Sequence, residues 1–160
     1  MLTSQQQAIV KSYVQADATL NAIPHTADGA YAIADALGMV ASPAFIVWRT
    51  DTKPDEIMKG GIDWTRVDNL SVGKARIWEW LTGLGVINAS KVNVRAGIDA
   101  TWVGTAADLA VRATVYTYCK RSTSILEKIL STGTGSDATP ATMGYEGTVT
   151  YQEVQLAMGW

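Results

Sequence analysis

Ala107, Val111, Val115, Tyr118, Ser122, Ile125 and Ile129 recur at spacings of three and four, the period of one face of an α-helix. Leu109, Tyr116 and Leu126 widen that apolar surface, so the segment should touch neighbours on two sides. Thr105 followed by Asp108 has capping-box spacing. Lys128 places positive charge in the last turns, and Gly133 stands where a C-cap glycine belongs. The pattern predicts a long central helix over residues 105–128, with an exit through Ile129.

The rest of the chain alternates short helical periods with breaks. Thr3 or Ser4, with Gln6 or Gln7 behind it, caps a helix running to about Ala18, with Ala8, Val10, Val14 and Ala18 on its apolar side. After Pro24 and His25 a second helix covers residues 27–38, with Ile33 and Leu37 inward and Gly38 as its stop. Residues 44–49 form the one β-like run of the first half. Pro54, Asp55 and Glu56 open a short helix ending at Gly60 and Gly61, and residues 62–70 read as irregular. Residues 71–84 are helical, with Val72, Ala75, Ile77, Trp78 and Leu81 towards the core. Lys74 and Arg76 lie one turn from Trp78 and Trp80, spacing that suits cation–π or stem packing. A further helix runs from Asn88 or Ser90 to about Ala100, and Gly104 separates it from the central one.

Residues 132–142 are rich in Gly, Thr, Ser and Pro and read as a loop or arm. Residues 143–149 are a second extended candidate, with residues 45–49 as the expected pairing partner. Thr150 with Glu153 is another capping box, so a short helix should cover residues 151–157. Short links between helices imply antiparallel neighbours. The predicted fold class is mainly α: a small helical bundle around one long central helix, with a minor extended or β-hairpin element and a C-terminal arm. Residues 1–131 are expected as the bundle and residues 132–160 as the arm with its short helix.

Composition narrows the function classes. A chain of 160 residues is long enough to bury a hydrophobic core without staples. Its net charge of −2 disfavours a protein that grips nucleic acid by bulk electrostatics. Twelve of the thirteen Lys and Arg fall between Arg49 and Lys128, either as a solvated surface or as a basic patch. Lys120 and Arg121, with Lys74, Arg76, Lys91 and Arg95 on the preceding helices, are the candidates for a basic face along a DNA path. Cys119 is the single cysteine, which rules out an intramolecular disulfide and predicts a packed thiol. No apolar run reaches the ~18 residues of a membrane span, and the N-terminus lacks signal-peptide order, so a cytoplasmic protein is expected. Six tryptophans against one phenylalanine are more than a small core hides. Some of those rings should meet another chain.

No residue constellation announces a chemistry. His25, the single histidine, follows a proline in a polar turn, and an exposed turn histidine competes there with a triad member. Asp17, Asp28 and Asp35 lack the spacing of a calcium loop. Gly133 to Ser136 resembles a phosphate cradle only superficially, because it follows a helix and no helix begins after it. Asp108 and Arg112, four apart on a helix, predict a surface salt bridge. The expectation is a non-enzymatic protein without cofactor or metal.

Four stretches carry a resemblance: FIVWRT (residues 45–50), IDWTRVDNLSVGKARIWEW (62–80), NVRAGIDATWVGT (93–105) and EKILSTGTGSDATPATMGYEGTVTYQEV (127–154). Together they make the chain resemble small proteins encoded in the structural-gene clusters of tailed bacteriophages, at the place of a head-to-tail connector. The resemblance implies an adaptor in the virion neck, assembled in the host cytoplasm. It would join the portal as a twelve-fold ring, lengthen the DNA channel and dock the next tail or nozzle protein. Its partners would be the portal protein, further copies of itself and passing genomic DNA. No family motif transfers residue by residue, so the docking candidates come from the chain's own end. They are Tyr145, Val149, Tyr151, Met158 and Trp160, with Lys120 and Arg121 as channel-facing basic candidates. Trp160 capping its own bundle is the competing reading. A tail terminator or stopper, with more strand, and a small phage enzyme are the alternatives in function.

Overall fold

Four capping boxes set the frame of the molecule. In a computed structural model describing all of residues 1–160, Thr3, Thr105, Ser124 and Thr150 each accept the backbone N–H three residues on. The side chains of Gln6, Asp108, Glu127 and Glu153 reach back in return. Each box satisfies two otherwise orphaned N–H groups and fixes where a helix starts. The chain is 55% helical, with ten helices and one small two-stranded antiparallel sheet. It is a mainly α protein with one minor two-stranded β element, whose strands are distant in sequence and do not form a hairpin.

The helices are α1 (Ser4–Ala16), α2 (Ala18–Asn21), α3 (Ala27–Gly38), α4 (Pro54–Lys59), α5 (Trp64–Asp68), α6 (Val72–Gly83), α7 (Val92–Thr101), α8 (Ala106–Tyr118), α9 (Ile125–Ile129) and α10 (Tyr151–Met158). The strands are β1 (Ile46–Trp48), between α3 and α4, and β2 (Lys120–Ser122), between α8 and α9. Arg49 N donates to Cys119 O at 2.8 Å and Thr123 N to Phe45 O at 3.1 Å, bracketing the pair.

The chain forms two compact units. One comprises residues 1–47 with 122–160, and the other residues 48–121. In the first, α10 packs on α3 and α1. Its core holds Leu2, Val10, Val14, Ile33, Leu37, Leu126, Val149, Val154 and Met158. Leu2 N donates to Glu153 Oε1 at 2.9 Å, so the chain's two ends are tied within this unit. Gly29 is required there, because a Cβ at that position would overlap the Pro24 carbonyl oxygen. In the second unit α6 packs on α7, and α4 and α5 pack on α8. Its core is built from Ile57, Ile62, Trp78, Leu81, Ile87, Ile98, Trp102, Val111, Val115 and Cys119.

The long central helix is the main correction. The apolar period does continue from Val115 to Ile129, but the helix stops at Tyr118, and β2 intervenes before α9. Ser124 is the reason: its side chain accepts Glu127 N at 3.2 Å and its own N–H donates to Glu127 Oε2 at 3.2 Å. A residue bonded in this way begins a helix and cannot lie inside one.

The division into a bundle (1–131) and an arm (132–160) gives way as well. Residues 132–142 form a closed loop, with Thr132 and Thr142 exchanging two backbone bonds of 2.9 Å. Within it, Thr134 and Ser136 bond Thr139. Residues 143–149 pair with no strand; the residue that pairs with β1 is Ala141, whose N–H donates to Ile46 O at 2.9 Å. The segment instead runs over the first unit. Gln6 Nε2 holds Gly144 O at 3.0 Å, and Gly147 N donates to Glu127 Oε1 at 3.2 Å. Residues 62–70, read as irregular, contain α5, capped by Asp63 on the N–H groups of Thr65 and Arg66.

Candidate interaction surface

α6 is amphipathic in an unusual way, because both of its faces carry a tryptophan. Trp78 and Leu81 point into the second unit, where Trp78 meets Trp102 edge to face at 5.2 Å and 77°. The Nε1 atoms of both indoles are buried without an acceptor. Such a donor costs about 1–3 kcal/mol, a cost offset by the ring area packed there.

The opposite face has no neighbour. Val72, Arg76, Trp80 and Leu84 follow one another every four residues, and Val72, Trp80 and Leu84 are 77%, 67% and 62% exposed. A Cβ added at Gly73 or Gly83 would meet nothing within 4 Å, so the small residues of this face border open space. On α5 the Trp64 ring is also exposed, as is Val92 at the start of α7. Contiguous exposed apolar residues on one helix face are a usual mark of a docking surface. Val72, expected inward, faces outward, because the run it shares with Arg76, Trp80 and Leu84 lies across the helix from Trp78 and Leu81.

The residues expected to dock a partner mostly serve the chain's own fold. Val149 and Met158 are buried in the first unit's core, and Tyr145, Tyr151 and Trp160 pack against it. Tyr145 donates its hydroxyl to Thr148 O at 2.8 Å. Tyr151 stacks on Tyr31 at 4.1 Å, and Trp160 on His25 at 4.3 Å. Trp160 therefore caps its own bundle, and His25 is an exposed turn histidine with an indole against it. The structure brings these five residues to one unit, two of them buried and three partly buried against its core.

Lys120 and Arg121, expected on a helix, are neighbours on β2. Successive side chains leave a strand on opposite faces, so the two do not form one basic stripe. Lys120 Nζ lies 5.9 Å from the Trp48 ring centre, and Arg95 Cζ lies over the same ring at 5.0 Å. Tyr116 tilts against this ring at 5.1 Å and donates its hydroxyl to Asp99 Oδ1 at 2.8 Å. Burial first, and then the Asp99 carboxylate, push the Tyr116 hydroxyl far above its ordinary value. The rings over which cations sit are thus Trp48 and, for Lys128, Phe45. Lys74, expected beside Trp78, donates instead to Val103 O at 2.6 Å.

Asp108 does not pair with Arg112. It is buried, and Arg66 Nη2 reaches its Oδ1 at 2.5 Å, while Arg112 meets Asp99 at 3.4 Å. The Arg66 guanidinium, together with the Thr105 backbone, holds the Asp108 carboxyl down to about 2. Cys119 is the packed thiol its surroundings predict, and burial pushes it up to about 11. A shallow concavity of about 280 Å³ lies along α8, lined by Gly61, Asp63, Ala107, Ala110, Val111 and Thr114. Its one carboxylate, Asp63, is engaged in capping α5. No group of three or more His, Cys, Asp or Glu side chains is placed to hold a metal ion. No helix is long and apolar enough to cross a membrane.

The exposed row Val72, Trp80 and Leu84, of which the sequence reading set apart only Trp80 as one of the rings that could meet another chain, was legible as a four-residue repeat through Arg76. That signal was masked by the overlapping core repeat of the same helix. No protein-family model, no curated protein and no solved structure matches the chain.

Proposed function

We propose that this protein is a structural subunit of a tailed-phage virion, a head-to-tail connector adaptor. It assembles as a ring under the portal, extends the DNA channel and presents a surface to the next tail component. The observation that carries the reading is the outward face of α6. Val72, Trp80 and Leu84 remain in water on a helix whose other face is fully packed. Exposed apolar area of this kind is stable in a protein that spends its working life against another chain. The resemblance of the four sequence blocks to phage neck proteins supplies the identity of that chain, and the mainly helical fold agrees with an adaptor. A terminator or stopper would also form rings, and the position of the subunit in the particle separates the two.

The direct test is quantitative mass spectrometry of gradient-purified virions encoded by the same genome. An adaptor is expected in particles at parity with the portal chain, and in tail-less heads that have completed packaging. Absence from virions would remove the proposal; presence only in isolated tails would favour the terminator.

A further inference from the structure

The two compact units carry opposite charge. Residues 1–47 with 122–160 hold two Lys or Arg against seven Asp or Glu, a net of −5. Residues 48–121 hold eleven against eight, a net of +3. Each unit also bears a helix face open to solvent. On the basic unit it is the α6 face, where Arg76 makes no ion pair or hydrogen bond within the chain. On the acidic unit it is α3, whose inward side is Ala30, Ile33 and Leu37. Its outward side is Asp28, Tyr31, Ala32 and Asp35, with Met39 just past the end. Tyr31, whose ring is stacked on Tyr151 on one side, and Met39 are 50% and 65% exposed, and neither Asp28 nor Asp35 has an ion-pair partner.

We infer that these two faces are made for each other in different copies: the α6 face of one subunit seats antiparallel on the α3 face of the next. This rests on the ring-forming reading above and names the surfaces it uses. The register follows from spacing. Val72 to Leu84 spans about 18 Å of helix axis and Asp28 to Met39 about 17 Å. Setting Trp80 against Tyr31 in antiparallel sense places Arg76 opposite Asp35, because both pairs are four apart. The same register brings Val72 to Met39 and Leu84 to Ala27. Glu79, the acid on α6, falls opposite Ala32, and Asp28 opposite Gly83, so no like charges meet. An aromatic pair at the centre beside one ion pair, with aliphatic contacts at the ends, is the anatomy of a small specific interface. Because the two faces differ, the contact is heterologous, and repeating it builds a ring or an open chain of copies.

Charge reversal on the full-length protein tests it. Arg76→Glu and Asp35→Lys alter exposed side chains that hold nothing in the fold, and circular dichroism checks that each variant is folded. In sedimentation velocity at low salt, wild-type protein should grow in mass with concentration. Each single variant should associate about tenfold more weakly, since like charges then oppose. Mixing the two variants in equal amounts should restore association, because the reversed α6 of one matches the reversed α3 of the other. Trp80→Glu should abolish association, with no rescue.

A wild-type protein monomeric throughout the series would overturn the inference, as would a mixture no better than its components. Trp80→Glu that keeps self-association but loses portal binding would assign the face to the portal and overturn it too. Failure of the connector reading looks different: wild-type subunits would then associate in the same charge-dependent way and ignore the portal.

Discussion

Arg66 Nη2 lies 2.5 Å from Asp108 Oδ1, while Asp108 Oδ2 takes the Thr105 N–H at 3.1 Å. One buried carboxylate thus both starts α8 and ties α5 to it. Its folded value of about 2, against an ordinary 3.8, sets the sign of a pH effect. A depressed carboxylate contributes stability that is fully present above the ordinary value and is lost as pH falls through the folded one. Thermal melts should show wild-type protein losing stability between about pH 4 and pH 2. Asp108→Asn should melt lower at neutral pH and show a flatter profile across that window. Parallel profiles for the two proteins would contradict this role for the pair.

The C-terminal helix belongs to the fold. Val149, Val154, Ala157 and Met158 are all core residues of the first unit. Truncation after Gly147 should therefore unfold that unit, with loss of amide protection across α1 and α3 in hydrogen exchange. Thr150→Ala, which removes one capping bond, should cost about 1 kcal/mol by urea titration. A truncated chain with native protection in α1 would show that the C-terminal segment is a detachable arm after all.

Trp102 is fully buried against Trp78 at the centre of the second unit. Trp102→Ala should destabilise by about 3–5 kcal/mol. The loss should be read in α6, α7 and α8 by hydrogen exchange. A change under 1 kcal/mol, the range of well-tolerated core swaps, would mean the site collapses without penalty.

Cys119 is fully buried with its thiol pushed up to about 11, so little thiolate exists at pH 8 and none is accessible. Alkylation by iodoacetamide at that pH should be slow in native protein and fast in guanidinium. Native labelling at the denatured rate would place the thiol at the surface.

Much of the fold was legible in local chemistry. Thr3 with Gln6, Thr105 with Asp108 and Thr150 with Glu153 announced three helix starts that the structure reproduces. The fourth box, Ser124 with Glu127, was equally visible, but the apolar spacing from Val115 through Ile125 to Ile129 ran across it. Periodicity reports which residues face the core; it does not report whether the backbone between them stays helical. The short strand β2 needs β1, more than seventy residues away in sequence, and no local pattern contains a partner so distant. The site was harder to read for a related reason. Tyr151, Met158 and Trp160 look like anchors by residue type, yet tertiary packing spends them inside the first unit. Trp80 looks equivalent to Trp78, and only the packing of α6 on α7 decides which ring stays in water.

The measurement that bears most directly on the connector account is mass photometry of the portal ring from the same genome, alone and mixed with this protein. Each added chain weighs 17.1 kDa, so a dozen would raise the ring by roughly 200 kDa, the increment a cyclic ring of equal symmetry requires. That shift is the predicted result, whether or not the free protein is monomeric. A portal ring of unchanged mass, at subunit excess and under assembly salt, would contradict the connector role.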